Sequence, residues 1–146
     1  MSGKDKFMNI RRGKIQDLKE ITAIEAECFP ASEAATEESF KGRLTVYPDY
    51  FWILEEDGKI VSFVNGMVTD IPNLSDEMYE NPHLHNPEGE WQMVFGVNTL
   101  PDYRKRGYAE KLLNEMIKDA KDKKRKGVVL TCKDALVHYY SKFGFK

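Results

Sequence analysis

One short stretch of the chain has the residue types needed to bind a phosphate group. It reads Arg104-Lys105-Arg106-Gly107-Tyr108-Ala109, after one apolar run and before an amphipathic one. This pattern predicts a strand, a short loop and a helix that begins near Gly107, and the first N–H groups of a helix lack partners within it. Glycine lets the backbone approach a ligand, small Ala109 leaves room, and the basic side chains add positive charge. On these residues alone, a glycine turn that only leads into a helix is an equal alternative.

A few side chains are candidates for proton transfer. Tyr140 carries a phenol, which stays protonated at neutral pH and suits a general acid, although a core tyrosine is the alternative. Glu90 comes just before the apolar run 91–97 and is a candidate base. His83 and His85 fall in a proline-containing stretch, and we interpret them as surface residues or as part of a lid.

Composition excludes a disordered or membrane-spanning chain. The 146 residues are 41% hydrophobic and 12% aromatic, so we predict a single domain over residues 1–146. No apolar run reaches the ~20 residues that cross a bilayer, and the polar N-terminus does not resemble a signal peptide. We therefore expect a cytoplasmic protein with no membrane partner. Cys28 and Cys132 match no metal or redox spacing, so we interpret both as reduced thiols and predict no metal site.

The charged residues are unevenly distributed. With 22 Lys and Arg against 24 Asp and Glu, the net charge is −2, which argues against a nucleic-acid partner. The basic residues in 121–126 are interpreted as an exposed helix end. Residues 70–90 hold six carboxylates and no Lys or Arg. This segment predicts a cationic small-molecule partner or, equally, a solvated loop.

Hydrophobic periodicity predicts the order β-α-α-β-β-loop-β-α-β-α, a mixed α/β sheet with one parallel crossover. A first helix follows Lys14 and ends before Phe29-Pro30, and a second is capped by Ser32 or Thr36 and ends at Tyr47. The other predicted strands are at 7–12, 50–54, 60–68, 91–97 and 128–131, with a tight hairpin turn at 56–59. A structureless loop that could form a lid is predicted at 71–89. A long helix is predicted from Gly107 to a C-cap at Gly127, and a last helix ends at Gly144.

With two further motifs, the basic loop resembles the GNAT superfamily of N-acetyltransferases. Their coenzyme A signature, Arg/Gln-x-x-Gly-x-Gly/Ala, is complete at residues 104–109, and residues 140–145 are similar to the family's Tyr-x-x-Phe-Gly-Phe motif. The segments 28–30 (Cys-Phe-Pro) and 131–137 are similar to the arylalkylamine (serotonin) N-acetyltransferase branch. The resemblance covers nearly the whole chain.

The resemblance implies a GNAT-like acyl-CoA N-acyltransferase fold, with acetyl-CoA as co-substrate and a bulge near Gly96 that separates the fourth strand from the fifth. The family's closing strand, after the Phe-Gly-Phe motif, is expected to be absent here. The resemblance implies that backbone groups of Phe95 and Val97 hold the pantetheine and that the Val97 N–H stabilises an oxyanion. It also implies that Tyr140 protonates the leaving thiolate. The remaining implied coenzyme contacts are Lys133 and residues 104–109.

The resemblance defines the acceptor side less fully. The branch carries a His-x-His pair at the positions of Trp91 and Met93, which cannot titrate, so Glu90 stays the candidate base. Phe29, Trp91 and Met93 are implied to contact a primary amine, arylalkylamine-like or polyamine-like, that attacks acetyl-CoA directly in a ternary complex. The missing histidines leave an alternative open, a non-catalytic acyl-CoA-binding sensor. Homodimers are common in the family, and a homodimer is one expected assembly.

Overall fold

The computed structural model describes residues 8–130. Within this range the helices are α1 (Leu18–Cys28), α2 (Glu37–Val46), α3 (Asp76–Glu80) and α4 (Tyr108–Asp122). The strands are β1 (Met8–Arg12), β2 (Phe51–Glu56), β3 (Lys59–Asn65), β4 (Val68–Thr69), β5 (Trp91–Val94), β6 (Gly96–Thr99) and β7 (Gly127–Leu130). The predicted last helix lies outside the described residues.

The strands within residues 8–130 form two sheets. One sheet is antiparallel, in the order β1-β2-β3-β6, and the other has the order β4-β5-β7. In the second sheet β5 and β7 are parallel, because α4 carries the chain back between them. This arrangement confirms the predicted mixed α/β fold with a parallel crossover.

Local sequence signals explain how two of these elements begin. Asp57 and Gly58, between β2 and β3, both have positive φ (53° and 83°), as a type I′ hairpin turn requires. The Thr36 side chain accepts a hydrogen bond from the Ser39 N–H (3.1 Å), which confirms Thr36 rather than Ser32 as the cap of α2.

The core lies between β2, β3 and the helices that cover them. β2 and β3 are buried along almost their whole length, and the apolar stripe of α4 (Leu112, Leu113 and Met116) is fully buried against them. Truncating one of these leucines to alanine is expected to cost about 2–5 kcal/mol of stability. The N-terminus of α4 is therefore held in place by the core. None of the helices in residues 8–130 is long and apolar enough to cross a bilayer.

The segment 71–89 is not the structureless loop that its composition predicts. It contains α3 and a 3-10 turn at Pro82–Leu84. Asp76 and Glu77 occupy the first turn of α3, where carboxylates interact favourably with the helix dipole. Such a short helix has no measurable apolar period, so the pattern could not reveal it.

Two other predicted boundaries are wrong. Gly127 is not a helix cap, because α4 ends at Asp122, Lys124 takes the left-handed conformation (φ 58°) and Gly127 opens β7. A Cβ at Gly127 would lie 2.9 Å from the Trp91 ring, so the glycine serves strand packing. The strand predicted through residue 68 ends at Asn65. A Cβ at the next residue, Gly66, would clash with the Met93 carbonyl oxygen, so only glycine fits there.

Candidate functional site

The strand predicted at residues 91–97 is interrupted at Phe95. The Phe95 N–H donates to the Asn65 carbonyl (2.7 Å), while Gly96 is also in register with Asn65. Two residues opposite one make a β-bulge, and the resemblance described above implies a bulge near Gly96. Before the bulge the chain pairs with β7, and after it the chain pairs with β3. The bulge therefore marks the point where the two sheets separate.

The edge of β6 that faces away from β3 starts at this bulge. The Leu100 N–H donates to β3 (2.9 Å), whereas the Thr99 carbonyl accepts from Arg104 Nε (3.0 Å) and from the Cys28 thiol (3.4 Å) on the opposite edge. Alternate residues of a strand direct their backbone groups to the same edge. Val97 therefore shares the Thr99 edge, which runs from the bulge to the loop that contains Arg104.

α4 begins at the end of that loop, with Gly107 as its N-cap. Gly107 has a φ of 78° and no side chain caps the helix. The Gly107 carbonyl accepts from the Lys111 N–H (3.0 Å), so the N–H groups of Tyr108 and Ala109 come before the first intrahelical donor. A Cβ at Gly107 would meet no atom within 4 Å. The space in front of the helix is open and fits the phosphate cradle that the sequence predicts.

The basic side chains of the turn are all exposed beside the start of α4. Arg104 is held against β6 by its hydrogen bond to the strand. The Arg106 guanidinium donates to the Asp102 carbonyl (3.2 Å) and lies 3.7 Å from the Glu56 carboxylate. Like Gly107, Lys105 adopts the left-handed conformation, with a φ of 65°. These side chains add positive charge where the helix dipole is also positive.

Tyr108 offers a ligand only its backbone. Its side chain is buried, and its hydroxyl donates to the Glu56 carboxylate at 2.7 Å. This contact fastens the first turn of α4 to the hairpin between β2 and β3.

A cavity of about 610 Å³ opens beside the bulge. Phe95 and Gly96 belong to its lining, together with residues from α1, α2, α3 and the segment between α1 and α2. Among the described lining residues, the charged ones are a single arginine, Arg43, and the four acids Glu25, Glu33, Asp76 and Glu80. The cavity therefore favours a cation over an anion.

Glu25 is the buried acid of this cavity. It is 7% exposed, whereas Glu33, Asp76 and Glu80 are exposed at the rim. One Glu25 oxygen accepts from Asn98 Nδ2 of β6 (3.1 Å) and the other from the Ala35 N–H (2.8 Å). Burial raises the pKa of the Glu25 carboxyl, against the opposing effects of these two hydrogen bonds and of nearby Arg43.

Arg43 forms an adjacent wall of the cavity with two aromatic rings. Its guanidinium is buried and donates to Asn65 Oδ1 (3.0 Å) and to the Tyr79 carbonyl (3.1 Å). It also lies over the Phe95 ring (5.0 Å), which packs on the Tyr79 ring at 4.5 Å. These contacts fix the position of Phe95 at the bulge.

The structure brings together only some of the residues that the sequence assigns to the acceptor side. Phe29 lines the cavity, as does Phe95, which the resemblance assigns to the coenzyme side instead. Met93 has no exposed surface and belongs to the core. Trp91 is half-buried and packs against Gly127 of β7. Neither Trp91 nor Met93 is among the residues that line the cavity.

Glu90 lies at the wrong end of β5 to act at the bulge. It precedes Trp91, the first residue of β5, whereas the bulge follows the last residue of that strand. Its carboxylate is exposed and pairs with the Lys126 ammonium at 3.1 Å. The geometry therefore gives Glu90 no contact with the cavity.

The two described histidines are also away from the cavity lining. His85 is half-buried between the rings of Tyr47 and Tyr50, and its Nδ1 accepts from the Val68 N–H (3.0 Å). Burial lowers its pKa to about 4, so it is neutral at pH 7. His83 is exposed. The predicted residues Lys133 and Tyr140 lie outside the described residues, and residues 8–130 contain no cluster of potential metal ligands.

Sequence reasoning missed Glu25 and Arg43, although each has a recognisable signal. Glu25 lies on the apolar face of α1, four residues after Ile21 and next to Ile24, where a solvated acid is not expected. Arg43 stands in the same way between Phe40 and Leu44 on the buried face of α2. A charged residue on a buried helix face needs a local partner or a function.

The bulge that splits the sheet and the open start of α4 are features implied by the resemblance to acetyltransferases. A family model described as an acetyltransferase (GNAT) domain matches residues 9–146. The chain therefore belongs to the GNAT acetyltransferase domain family.

Individual relatives agree with this assignment. The chain is 27% identical over 135 residues to a serotonin N-acetyltransferase of Mesocricetus auratus, covering 90% of this chain and 64% of that protein's length. It is 27% identical, with a TM-score of 0.79, to the loading GNATL domain of CurA from Lyngbya majuscula, covering 92% of this chain and 69% of that one. It is 25% identical, with a TM-score of 0.75, to the GphF GNAT-like decarboxylase in complex with isobutyryl-CoA, covering 94% and 72%.

Proposed function

We propose that the protein is an N-acetyltransferase that moves the acetyl group of acetyl-CoA to a primary amine while both substrates are bound. One observation carries this proposal. The bulge at Phe95–Gly96 lines the acidic cavity and also begins the β6 edge that leads to the N-terminus of α4. A coenzyme along that edge and an amine in the cavity would meet at the bulge.

On the coenzyme side, the start of α4 would hold the pyrophosphate. Its first N–H groups and positive dipole favour an anion, and residues 104–106 add positive charge. The backbone of Val97 would hold the pantetheine, and its N–H would polarise the thioester carbonyl. When bound, acetyl-CoA supplies the activated acetyl group. Tyr140 as general acid and Lys133 as a coenzyme contact rest on the motif resemblance alone.

On the acceptor side, the cavity would hold a small amine in its cationic form. The cavity lining contains four carboxyl groups and one guanidinium, so it would attract an ammonium and repel a carboxylate. The rings of Phe29, Tyr79 and Phe95 would contact the apolar part of the acceptor. This lining suits an arylalkylamine-like or a polyamine-like acceptor.

An acetylation screen with a panel of primary amines tests the proposal. Cationic amines are expected to yield the N-acetyl product, identified by mass, with one free thiol released per product. Alcohols of the same shape, which lack the charge, are expected to yield none. Binding of acetyl-CoA with no turnover of any amine would instead support the acyl-CoA-binding sensor.

Decarboxylation of an acyl-CoA is the second candidate, because one relative of similar fold is named a GNAT-like decarboxylase. Such an enzyme must hold a carboxylate, and the buried Arg43 Nε has no hydrogen-bond partner within residues 8–130. The four acids of the cavity oppose this candidate. Malonyl-CoA separates the two, since release of carbon dioxide without an amine would favour the decarboxylase.

A further inference from the structure

We propose that Glu25 is the general base that takes the proton from the acceptor ammonium. This inference rests on the proposed acetyl transfer and replaces Glu90, the base that the sequence predicts. It assigns a catalytic role to a side chain on α1 that the coenzyme motifs do not include.

The position of Glu25 supports this role. Its carboxylate lines the cavity at the bulge, and a Cβ built on Gly96 would lie 3.8 Å from Glu25 Oε1. Because residue 96 has no side chain, it places nothing between the carboxylate and the backbone of the bulge. An amine that reaches the bulge from the cavity therefore comes close to Glu25.

The hydrogen bonds of Glu25 leave it able to accept a proton. Asn98 Nδ2 occupies one site on one oxygen, and the Ala35 N–H occupies one site on the other. An ionised carboxylate has about four acceptor sites, so at least one on each oxygen is available. The two donors also fix the orientation of the carboxylate, because they come from β6 and from the segment that follows α1.

Several charged or titratable groups face Glu25. Arg43 of α2 interacts with it electrostatically and favours its ionised form, and Cys28 lies one turn further along α1. Glu33 and the two acids of the α3 segment, Asp76 and Glu80, are further members of the cavity lining. Burial outweighs Arg43 and raises the Glu25 pKa, which makes the carboxylate a stronger base than an exposed glutamate.

The proton and electron balance of the step is complete. Glu25 takes one proton from the ammonium, which frees the nitrogen lone pair. The neutral amine attacks the thioester carbonyl carbon, a C–N bond forms, the C–S bond breaks and its electron pair goes to sulfur. A second proton leaves the nitrogen and the thiolate gains one, while Glu25 releases the first proton to solvent.

The experiment compares Glu25→Gln and Glu25→Asp with a matched control on the same helix. Glu27→Gln is suitable, because Glu27 is exposed on α1 and outside the cavity lining. For wild type, kcat/KM with a cationic amine is expected to rise with pH through one ionisation. Glu25→Gln is expected to lower kcat/KM by roughly 10²–10⁴-fold and to abolish that ionisation. Glu25→Asp is expected to retain it with reduced activity, and Glu27→Gln to match wild type.

A second acceptor separates a base from a structural residue. An amine that carries a trifluoromethyl group on the carbon next to its nitrogen is neutral at the assay pH and needs no base to free its lone pair. Glu25→Gln is therefore expected to lose much less activity with this acceptor than with the cationic one. An equal loss with both acceptors, or an unchanged pH profile in Glu25→Gln, would overturn the proposal.

Two controls keep the outcomes distinct. Acetyl-CoA affinity, measured by calorimetry, is expected to be unchanged in both Glu25 variants, and thermal unfolding reports whether they fold. If Glu25→Gln does not fold, Glu25→Asp decides, since a wild-type kcat/KM with the cationic amine, despite the shorter side chain, would overturn the role. If wild type acetylates no amine, the proposed function itself fails.

Discussion

The Asn98 side chain of β6 donates a hydrogen bond to the Glu25 carboxylate of α1 at 3.1 Å. Asn98 stands two residues after Gly96, so this bond ties the buried acid of the cavity to the strand that starts at the bulge. Both partners are buried, and Asn98 is 1% exposed. This hydrogen bond therefore links the acidic cavity to the β6 edge that starts at the bulge.

Asn98→Ala is expected to shift the pH dependence of the enzyme. The bond favours the ionised carboxylate, so its loss raises the pKa of Glu25 further and moves the rise of kcat/KM to higher pH. Ser62→Ala is the matched control, because Ser62 Oγ donates to the Asn98 backbone carbonyl (2.7 Å). Each variant is expected to lose about 1–3 kcal/mol of stability. Identical pH profiles for the two variants would contradict the role of the bond.

Gly107→Asp is expected to weaken acetyl-CoA binding by roughly 100-fold, or about 2.7 kcal/mol, because it places a carboxylate where the pyrophosphate is expected. Gly58→Asp is a close control. Gly107 and Gly58 have similar φ (78° and 83°), and a Cβ at either would meet no atom within 4 Å. Both substitutions therefore strain the backbone alike, and calorimetry should find weaker binding only at residue 107. Equal affinity in the two variants would remove the start of α4 from the coenzyme site.

Tyr140→Phe is expected to lower kcat by roughly ten-fold to a thousand-fold with little change in coenzyme affinity, because it removes the proposed donor to the leaving thiolate. Tyr139→Phe, the adjacent substitution, is expected to retain wild-type kcat. Steady-state kinetics with a fixed amine measures both. Wild-type turnover in Tyr140→Phe would show that another group protonates the thiolate.

The stability of the protein is expected to fall between pH 6.5 and about 4 because of His85. Burial lowers the pKa of His85 from 6.5 to about 4, so within this window the unfolded chain binds a proton that the folded chain does not. Above pH 6.5 both states are neutral and this contribution to stability is fully present. The thermal midpoint of wild type should therefore drop more from pH 7 to pH 5 than that of His85→Gln.

His83→Gln is the control for that measurement. His83 is exposed and lies two residues from His85, so its replacement is expected to leave the drop as in wild type. The same drop in all three proteins would mean that other groups cause the acid sensitivity.

The turn at 104–107 and the start of α4 are largely predictable because their residues are contiguous. The periodic apolar stripe of α4 and the turn at 104–107 lie in one segment, and local backbone preference alone places Gly107 at the helix start. The bulge at Phe95–Gly96 is implied by the family resemblance, which a glycine inside an apolar strand fits. These features depend on short-range geometry that a sequence pattern records.

The lining of the acidic cavity is not predictable in the same way, because Glu25, Arg43, Tyr79 and Phe95 come from α1, α2, α3 and the bulge. Their meeting depends on how α1, α2 and α3 pack over the split sheet. The positions aligned with the branch's histidine pair are misleading, since Met93 is turned into the core. Tertiary packing, rather than local propensity, decides which acid is buried beside the bulge.

A crystal structure with coenzyme A and an N-acetylated amine tests the central claim most directly. The account predicts the pyrophosphate against the N–H groups that open α4, and the amide of the product at Phe95–Gly96 within reach of Glu25. A coenzyme bound away from Gly107, or an amide on the far side of the sheet from the cavity, would contradict it.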